Sequence, residues 1–172
     1  MIKRNFKEMK KKRIYMKDFL SRQFKGDKFY RYDLMVRYLF IENFYNSGCP
    51  KNFNDPMYAQ FYKNKRIVLR TQKFIDIVNS FEKNGFSEEY KPYMIMNDEY
   101  RMCGGNHRTA CCLWFKIDEF LVYIPKKFYD ACKVKKRCWD KKWLISHGLK
   151  SSIPLIEETR KKIFDRLEIL YG

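Results

Sequence analysis

The sequence predicts an α+β fold: a small mixed β-sheet core with helical extensions on its N-terminal and C-terminal sides. Two observations carry this. Apolar residues recur at helical spacing before and after the centre of the chain, and the centre itself reads strand, turn, strand, Gly-Gly, helix, strand. At 172 residues the length suits one domain with an appended arm, divided as a basic arm over 1–31 and a single domain over 32–172.

Residues 5–25 are Lys-rich, and Phe6, Met9, Ile14 and Leu20 hold a helical period only loosely. The stretch YDLMVRYLFIENFYN, Tyr32 to Asn46, reads as a helix with Leu34, Tyr38, Ile41 and Tyr45 along one stripe. Gly, Pro, Asn and Asp mark 46–56 as a loop. A short helix follows with Pro56 in its first turn and Met57, Tyr58 and Phe61 as its packing face. The next helix begins with Thr71 as cap, carries Phe74, Ile75, Val78 and Phe81, and ends at Asn84 and Gly85. No strand is expected before this point.

Tyr93–Met96 and Tyr100–Cys103 form a hairpin pattern around the polar turn NDE. His107–Lys116 fits a helix, and IDEFLVYIP has the β-branched and aromatic character of a strand closed by Pro125. The remainder is helical in pattern, and the last helix has Ser152 as cap and Ile156, Ile163, Leu167 and Leu170 facing the core.

The longest apolar runs, such as Leu121–Pro125, fall far short of the roughly 20 residues that cross a bilayer. The N-terminus lacks the apolar region of a secretory signal, so a cytoplasmic location is expected. Six cysteines occur without a C-x-x-C pair, which points to reduced thiols in the core and no zinc site. The net charge of +17 concentrates in the first 31 residues and in 126–143. It suits nucleic acid, a membrane surface or an acidic small molecule, and equally a solvated Lys-rich surface.

The motif richest in chemistry is CGGNHRTACC. A helix N-terminus presents unpaired N–H groups and the positive end of the helix dipole, and so favours phosphate. Gly104 and Gly105 allow positive φ and close ligand approach. Asn106, His107, Arg108 and Thr109 line the first turn, the imidazole and guanidinium adding donors. The plainer reading is a tight strand-to-helix turn with an exposed arginine.

The unit YMIMNDEYRMCGGNHRTACCLWFKIDEFLVYI resembles the core of the ParB and sulfiredoxin superfamily, through Gly105, His107, Arg108 and Ala110 in the box and Trp114 and Phe115 before the return strand. The upstream helices are similar to segments of uncharacterised members associated with surface-polysaccharide gene clusters. The resemblance spans about 32–124. It implies a ParB-type sheet that binds ATP, or ADP or CTP, with phosphates on the helix starting at Asn106, and Mg²⁺ where phosphoryl transfer occurs. Asn106 stands where sulfiredoxin has its catalytic cysteine, and Cys103 does not replace it, so sulfinic acid reduction is not implied. Gly104 stands where the kinase-like members have an acidic residue.

An ATP-dependent phosphotransferase acting on a small molecule or a sugar or glycan precursor is therefore the first expectation. Phosphoryl transfer needs charge on the phosphates and a group to take the acceptor's proton. Glu42, set among apolar residues, is the expected base or metal ligand, with Asp33 as the second choice and His107 as a catalytic proton donor; the alternative for Glu42 is a partner for a Lys or Arg. Asp33 and Asp98 are the expected metal ligands, though Asp98 is also an ordinary turn residue. Arg37 and Arg66 are expected to bind substrate, and Asp33 with Arg37 also fits a surface i,i+4 ion pair. The alternative function is a nucleotide-dependent nucleic-acid-binding module of ParB type, with Phe128, Tyr129, Trp139 and Trp143 as stacking surfaces. No helix-turn-helix segment is evident, and the basic arm also suits contact with a membrane surface.

Overall fold

The computed structural model describes residues 9–62, 67–87, 95–96, 102–125 and 139–170. In chain order the elements are β1 (Met9–Tyr15), α1 (Met16–Ser21), β2 (Phe24–Lys25), β3 (Lys28–Phe29), α2 (Tyr32–Asn46), α3 (Pro56–Tyr62), α4 (Ile67–Asn84), β4 (Ile95–Met96), β5 (Met102–Gly104), α5 (Asn106–Trp114), β6 (Glu119–Pro125), α6 (Lys141–Ser146) and α7 (Ile153–Arg166). The fold is α+β. One sheet has the order β1-β6-β4-β5, and β2 and β3 form a separate ribbon.

The sheet is mixed. β1 runs antiparallel to β6, from Met9 opposite Pro125 to Tyr15 opposite Glu119. β4 pairs antiparallel with β5 and parallel with β6, where Ile95 lies opposite Tyr123. Phe120 to Ile124 are all buried, so β6 is covered on both faces, as its β-branched and aromatic run requires. On one of those faces Lys11 of the edge strand lays its ammonium 5.7 Å from the centre of the Tyr123 ring.

Two expectations about the N-terminal region change here. The helical reading of 5–25 is overturned for Met9–Tyr15, which is a strand, so strands precede the helices. Residues 9–31, expected as a basic arm, supply Ile14, Met16, Phe19, Leu20 and Phe29 to the core. The lysines obscured this because Lys10, Lys11, Lys12 and Arg13 project from an edge strand, where charge also discourages pairing with another chain.

α2 has the predicted span and lies at the centre, packed against α3, α5 and α7. Its burial goes beyond a stripe: Met35, Val36, Leu39, Phe40 and Phe44 are buried beside Leu34 and Ile41. A helix apolar nearly all round belongs inside a fold. Tyr38 and Tyr45 both pack on Trp114 of α5. The small residues Ala110, Cys111 and Cys112 of α5 are fully buried. Burial pushes the Cys112 thiol up to about 12 and the Cys111 thiol well above its ordinary value, so both act as core side chains.

Helix ends correct three details. α4 begins at Ile67, so Thr71 is a buried interior residue and not the cap. Its far end is as predicted, with Gly85 at φ +65° donating its N–H to Phe81 O. Ser152 makes no side-chain cap bond; a 3₁₀ turn over Lys150–Ser152 leads into α7. Ile156, Ile163 and Leu167 face the core, but Leu170 is 99% exposed, and Ile169 is buried in its place. The helical pattern over 126–138, with Phe128 and Tyr129, lies outside the described residues.

Phe19 tests the N-terminal correction. Its ring is fully buried and meets Phe120 of β6 edge to face. Phe19→Ala is expected to cost about 3–5 kcal/mol in urea unfolding. An unpacked arm would leave the midpoint unchanged.

Candidate functional site

The site begins with the strand-to-helix turn. β5 ends at Gly104, which pairs with Ile95 of β4. Gly105 then takes φ +88°, a left-handed conformation that needs glycine, and α5 starts at Asn106. Thr109 locks the turn: its buried hydroxyl lies 3.1 Å from Gly105 O and 3.2 Å from Met102 Sδ.

The mouth of α5 opens into a cleft of about 530 Å³. Gly105, Asn106 and His107 form one side, Arg37 and Arg70 supply positive charge, and Phe61, Tyr62, Trp139, Trp143 and His147 form aromatic walls. Trp143 is positioned by α6, whose cap Asp140 accepts the Trp143 N–H at 2.9 Å. Its indole stacks on His147 with centroids 3.6 Å apart. Trp139 is pinned by two backbone bonds of 3.1 Å, donating to Tyr30 O and accepting from Tyr32 N.

Beneath the cleft is a buried charge network. Asp33 is 0% exposed, and Arg31 and Arg37 are each 3% exposed. Arg31 grips the carboxylate with two bonds, 2.7 Å to Oδ1 and 3.1 Å to Oδ2, and also donates to Asn106 Oδ1 at 3.0 Å. Arg37 donates to Asp33 Oδ2 at 2.8 Å and to the Tyr62 hydroxyl. Two guanidinium charges against one carboxylate leave one net positive charge under the α5 N-terminus. Arg70 lies over the Tyr62 ring, 4.9 Å from its centre, and adds a second positive charge at the cleft.

His107 shares a 2.7 Å bond between Nε2 and the Tyr58 hydroxyl, with the Tyr62 hydroxyl 3.4 Å from the same nitrogen. Burial holds its pKa well below the usual histidine value, and the positive charges of Arg37 and Arg70 lower it further. The imidazole is therefore neutral at physiological pH. Burial raises the Tyr58 phenol, which stays protonated. For Arg37, burial opposes the charge, but Tyr62 and Asp33 outweigh it and the guanidinium stays ionised.

Of the sequence-predicted residues, Gly105, Asn106, His107 and Arg37 meet at the cleft, while Gly104 sits in the strand behind it. Arg108 is placed differently: helical rotation turns it to the α4 side, where it donates to Ser87 O at 2.6 Å and lies over the Phe86 ring. Thr109 is spent on the turn. Asp33 is not half of a surface pair; it is fully enclosed, lies beneath the cleft without lining it, and both of its oxygens accept from arginines. Glu42 does not line the cleft. It is five residues past Arg37 on α2, about 140° around the helix, where its charge acts on Tyr38. Arg66 and Asp98 lie outside the described residues.

Sequence reasoning missed Arg31, Tyr58, Tyr62, Arg70 and His147, and assigned Trp139 and Trp143 only to nucleic-acid stacking. Two signals were present. Tyr58 and Tyr62 are four apart on one helix face, and Arg70 follows Arg66 by the same interval. Among the described residues no group of three or more His, Cys, Asp or Glu side chains gathers to hold a metal, and no carboxylate lines the cleft. These residues do not fit a Mg²⁺ site. No helix of the described residues is long and apolar enough to cross a membrane.

Comparison with protein-family models, with curated proteins and with solved structures finds no match to the chain.

The neutral imidazole gives a pH test. The unfolded chain protonates His107 near pH 6.5, while the folded chain resists protonation until well below that. Stability present above pH 6.5 is thus lost as pH falls towards the folded pKa, with a slope of at most about 1.4 kcal/mol per pH unit. Urea unfolding at pH 7.5 and 5.5 should show a smaller loss for His107→Gln than for the parent. Equal losses would mean that the folded imidazole titrates normally.

Proposed function

We propose that this protein binds a nucleoside phosphate, ATP foremost, and transfers its terminal phosphoryl group to a hydroxyl of a small molecule or sugar precursor. The observation that carries the reading is convergence: a helix N-terminus with a left-handed glycine, two arginines and two indoles open onto one cleft. The α5 N–H groups and Arg70 suit phosphate oxygens. Trp139 and Trp143 suit a flat heterocycle, since base stacking on an aromatic ring contributes about 1–3 kcal/mol. The order of hairpin, Gly-Gly turn, helix and return strand agrees with the ParB and sulfiredoxin resemblance, so a fold of that type is part of the proposal.

Phosphoryl transfer draws mainly on positioning and on charge around the transferred group, which this cleft offers; with no carboxylate among the residues lining it, the acceptor's hydroxyl proton leaves on an oxygen of the transferred phosphoryl group as the bond to the nucleotide breaks. Mg²⁺ has no part in the proposal as it stands on the described residues. A second reading has its own support: aromatic walls in a basic cleft, in a chain of net charge +17, also suit single-stranded nucleic acid.

Calorimetric titration separates the two. ATP and ADP are expected to bind and adenosine to bind at least tenfold more weakly. Arg70→Ala should weaken ATP about tenfold or more, and Trp143→Ala by roughly 5- to 150-fold if the full stacking contribution is lost. Transfer is then sought by ³¹P NMR of ATP with a panel of sugars. Absence of ATP and ADP binding, combined with tight, steeply salt-dependent binding of an oligonucleotide, would reject the nucleotide reading in favour of the second.

A further inference from the structure

The two tyrosines behind His107 are not explained by packing alone, because their hydroxyls and the Arg37 guanidinium form an ordered chain ending on one ring nitrogen. Arg37 has only N–H donors and no lone pair to offer, so towards Tyr62 it can only donate. The Tyr62 proton must then go elsewhere, and the Tyr58 hydroxyl and His107 Nε2 are the acceptors in reach. Tyr58 in turn lies 2.7 Å from Nε2. If Tyr62 donates to Tyr58, the Tyr58 proton goes to Nε2; if Tyr62 donates to the imidazole, Nε2 again accepts.

The opposite polarity, with Nε2–H donating to Tyr58, leaves one phenol proton, that of Tyr62 or that of Tyr58, without an acceptor among these groups. The ring is also held in place. Phe74 packs on it with centroids 4.4 Å apart, and Tyr62 lies nearly parallel to it at 6.3 Å. Which ring nitrogen of a neutral histidine carries the proton is set by the bond the other one makes.

We infer that Arg37, Tyr62 and Tyr58 act as a one-way donor relay that fixes His107 as the Nδ1–H tautomer, so that the imidazole edge facing the cleft donates a hydrogen bond to an acceptor-only ligand group. This deepens the nucleotide reading and its ligand half rests on it. His107 is then a binding donor for a phosphate oxygen, and Tyr58 and Tyr62 are positioning residues. Together with the α5 N–H groups and Arg70, the relay makes this wall of the cleft a set of donors. A phosphate or phosphoryl group, which offers acceptors alone when fully ionised, matches it; an amine does not.

The test uses two-bond ¹H–¹⁵N correlation spectra of the uniformly labelled, ligand-free full chain at neutral pH. The chain has two histidines, so His107→Gln assigns the signals. The expected spectrum shows His107 with Nδ1 protonated and Nε2 bare. Tyr58→Phe should shift the ring towards the Nε2–H form that an isolated imidazole favours, and should weaken ADP binding about tenfold with the circular dichroism spectrum unchanged. Tyr62→Phe gives a second, milder variant and should move the same signals in the same direction. An imidazolium or an Nε2–H form in the parent chain would overturn the relay, as would signals that neither substitution moves. ADP or inorganic phosphate should displace the His107 nitrogen signals on binding. Binding without that displacement would overturn the ligand contact, while an intact Nδ1–H form in a chain that binds neither probe would support the relay and reject the nucleotide reading.

Discussion

The carboxylate of Asp33 is the constraint on which the site depends. It is fully enclosed, and two buried guanidinium groups bond to it, that of Arg31 just before α2 and that of Arg37 one turn further along the helix. Taking three charges out of water is costly, and removing the central one would leave two like charges buried together. What the arrangement provides is position. Through Arg31 it reaches Asn106 at the start of α5 and the Trp139 ring, whose centre is 5.3 Å from the guanidinium carbon. Through Arg37 it reaches Tyr62 at the end of α3 and then His107. Asn106, Trp139, Tyr62 and His107, drawn from segments far apart in the chain, are tied to this one buried group.

The rest of the fold makes that burial achievable. α2 is packed against α3, α5 and α7, so Asp33 and Arg37 near its start are enclosed and must pair within the protein. Small side chains on α5 bring its N-terminus close to α2, and the left-handed Gly105 directs the helix mouth into the cleft. The network keeps a net positive charge after internal pairing, and Arg70 adds to it. The electrostatics of the cleft therefore complement an anion, and the indoles that line it complement a flat ring.

Much of this was legible in the sequence, and what was not has physical reasons. The span of α2 follows from its unbroken helical pattern between a charged entry and a Gly-containing exit. The glycine box announced its turn because few residues other than glycine accept the φ of Gly105. β1 was hidden by its lysines, which on an edge strand point to solvent and leave Ile14 as its buried side chain. Glu42 attracted attention by its apolar neighbours, yet α2 is apolar on almost every face, so such neighbours say little about where a residue points. Asp33 looked like a surface residue because it neighbours arginines in sequence; its burial depends on Trp139, Asn106 and Tyr62, more than twenty residues away. Arg108 was read from its place in the box, and a single helical step of about 100° took it to the other side of α5.

The most direct test of this account is the stability of Asp33→Asn, followed by tryptophan fluorescence during urea unfolding at neutral pH. The substitution keeps the shape of the side chain but removes the charge that holds Arg31 and Arg37 together. A loss of about 3–5 kcal/mol is expected, as for other buried ion pairs broken on one side. A variant within about 0.5 kcal/mol of the parent, the range of ordinary surface substitutions, would contradict the claim that the cleft is organised around this carboxylate.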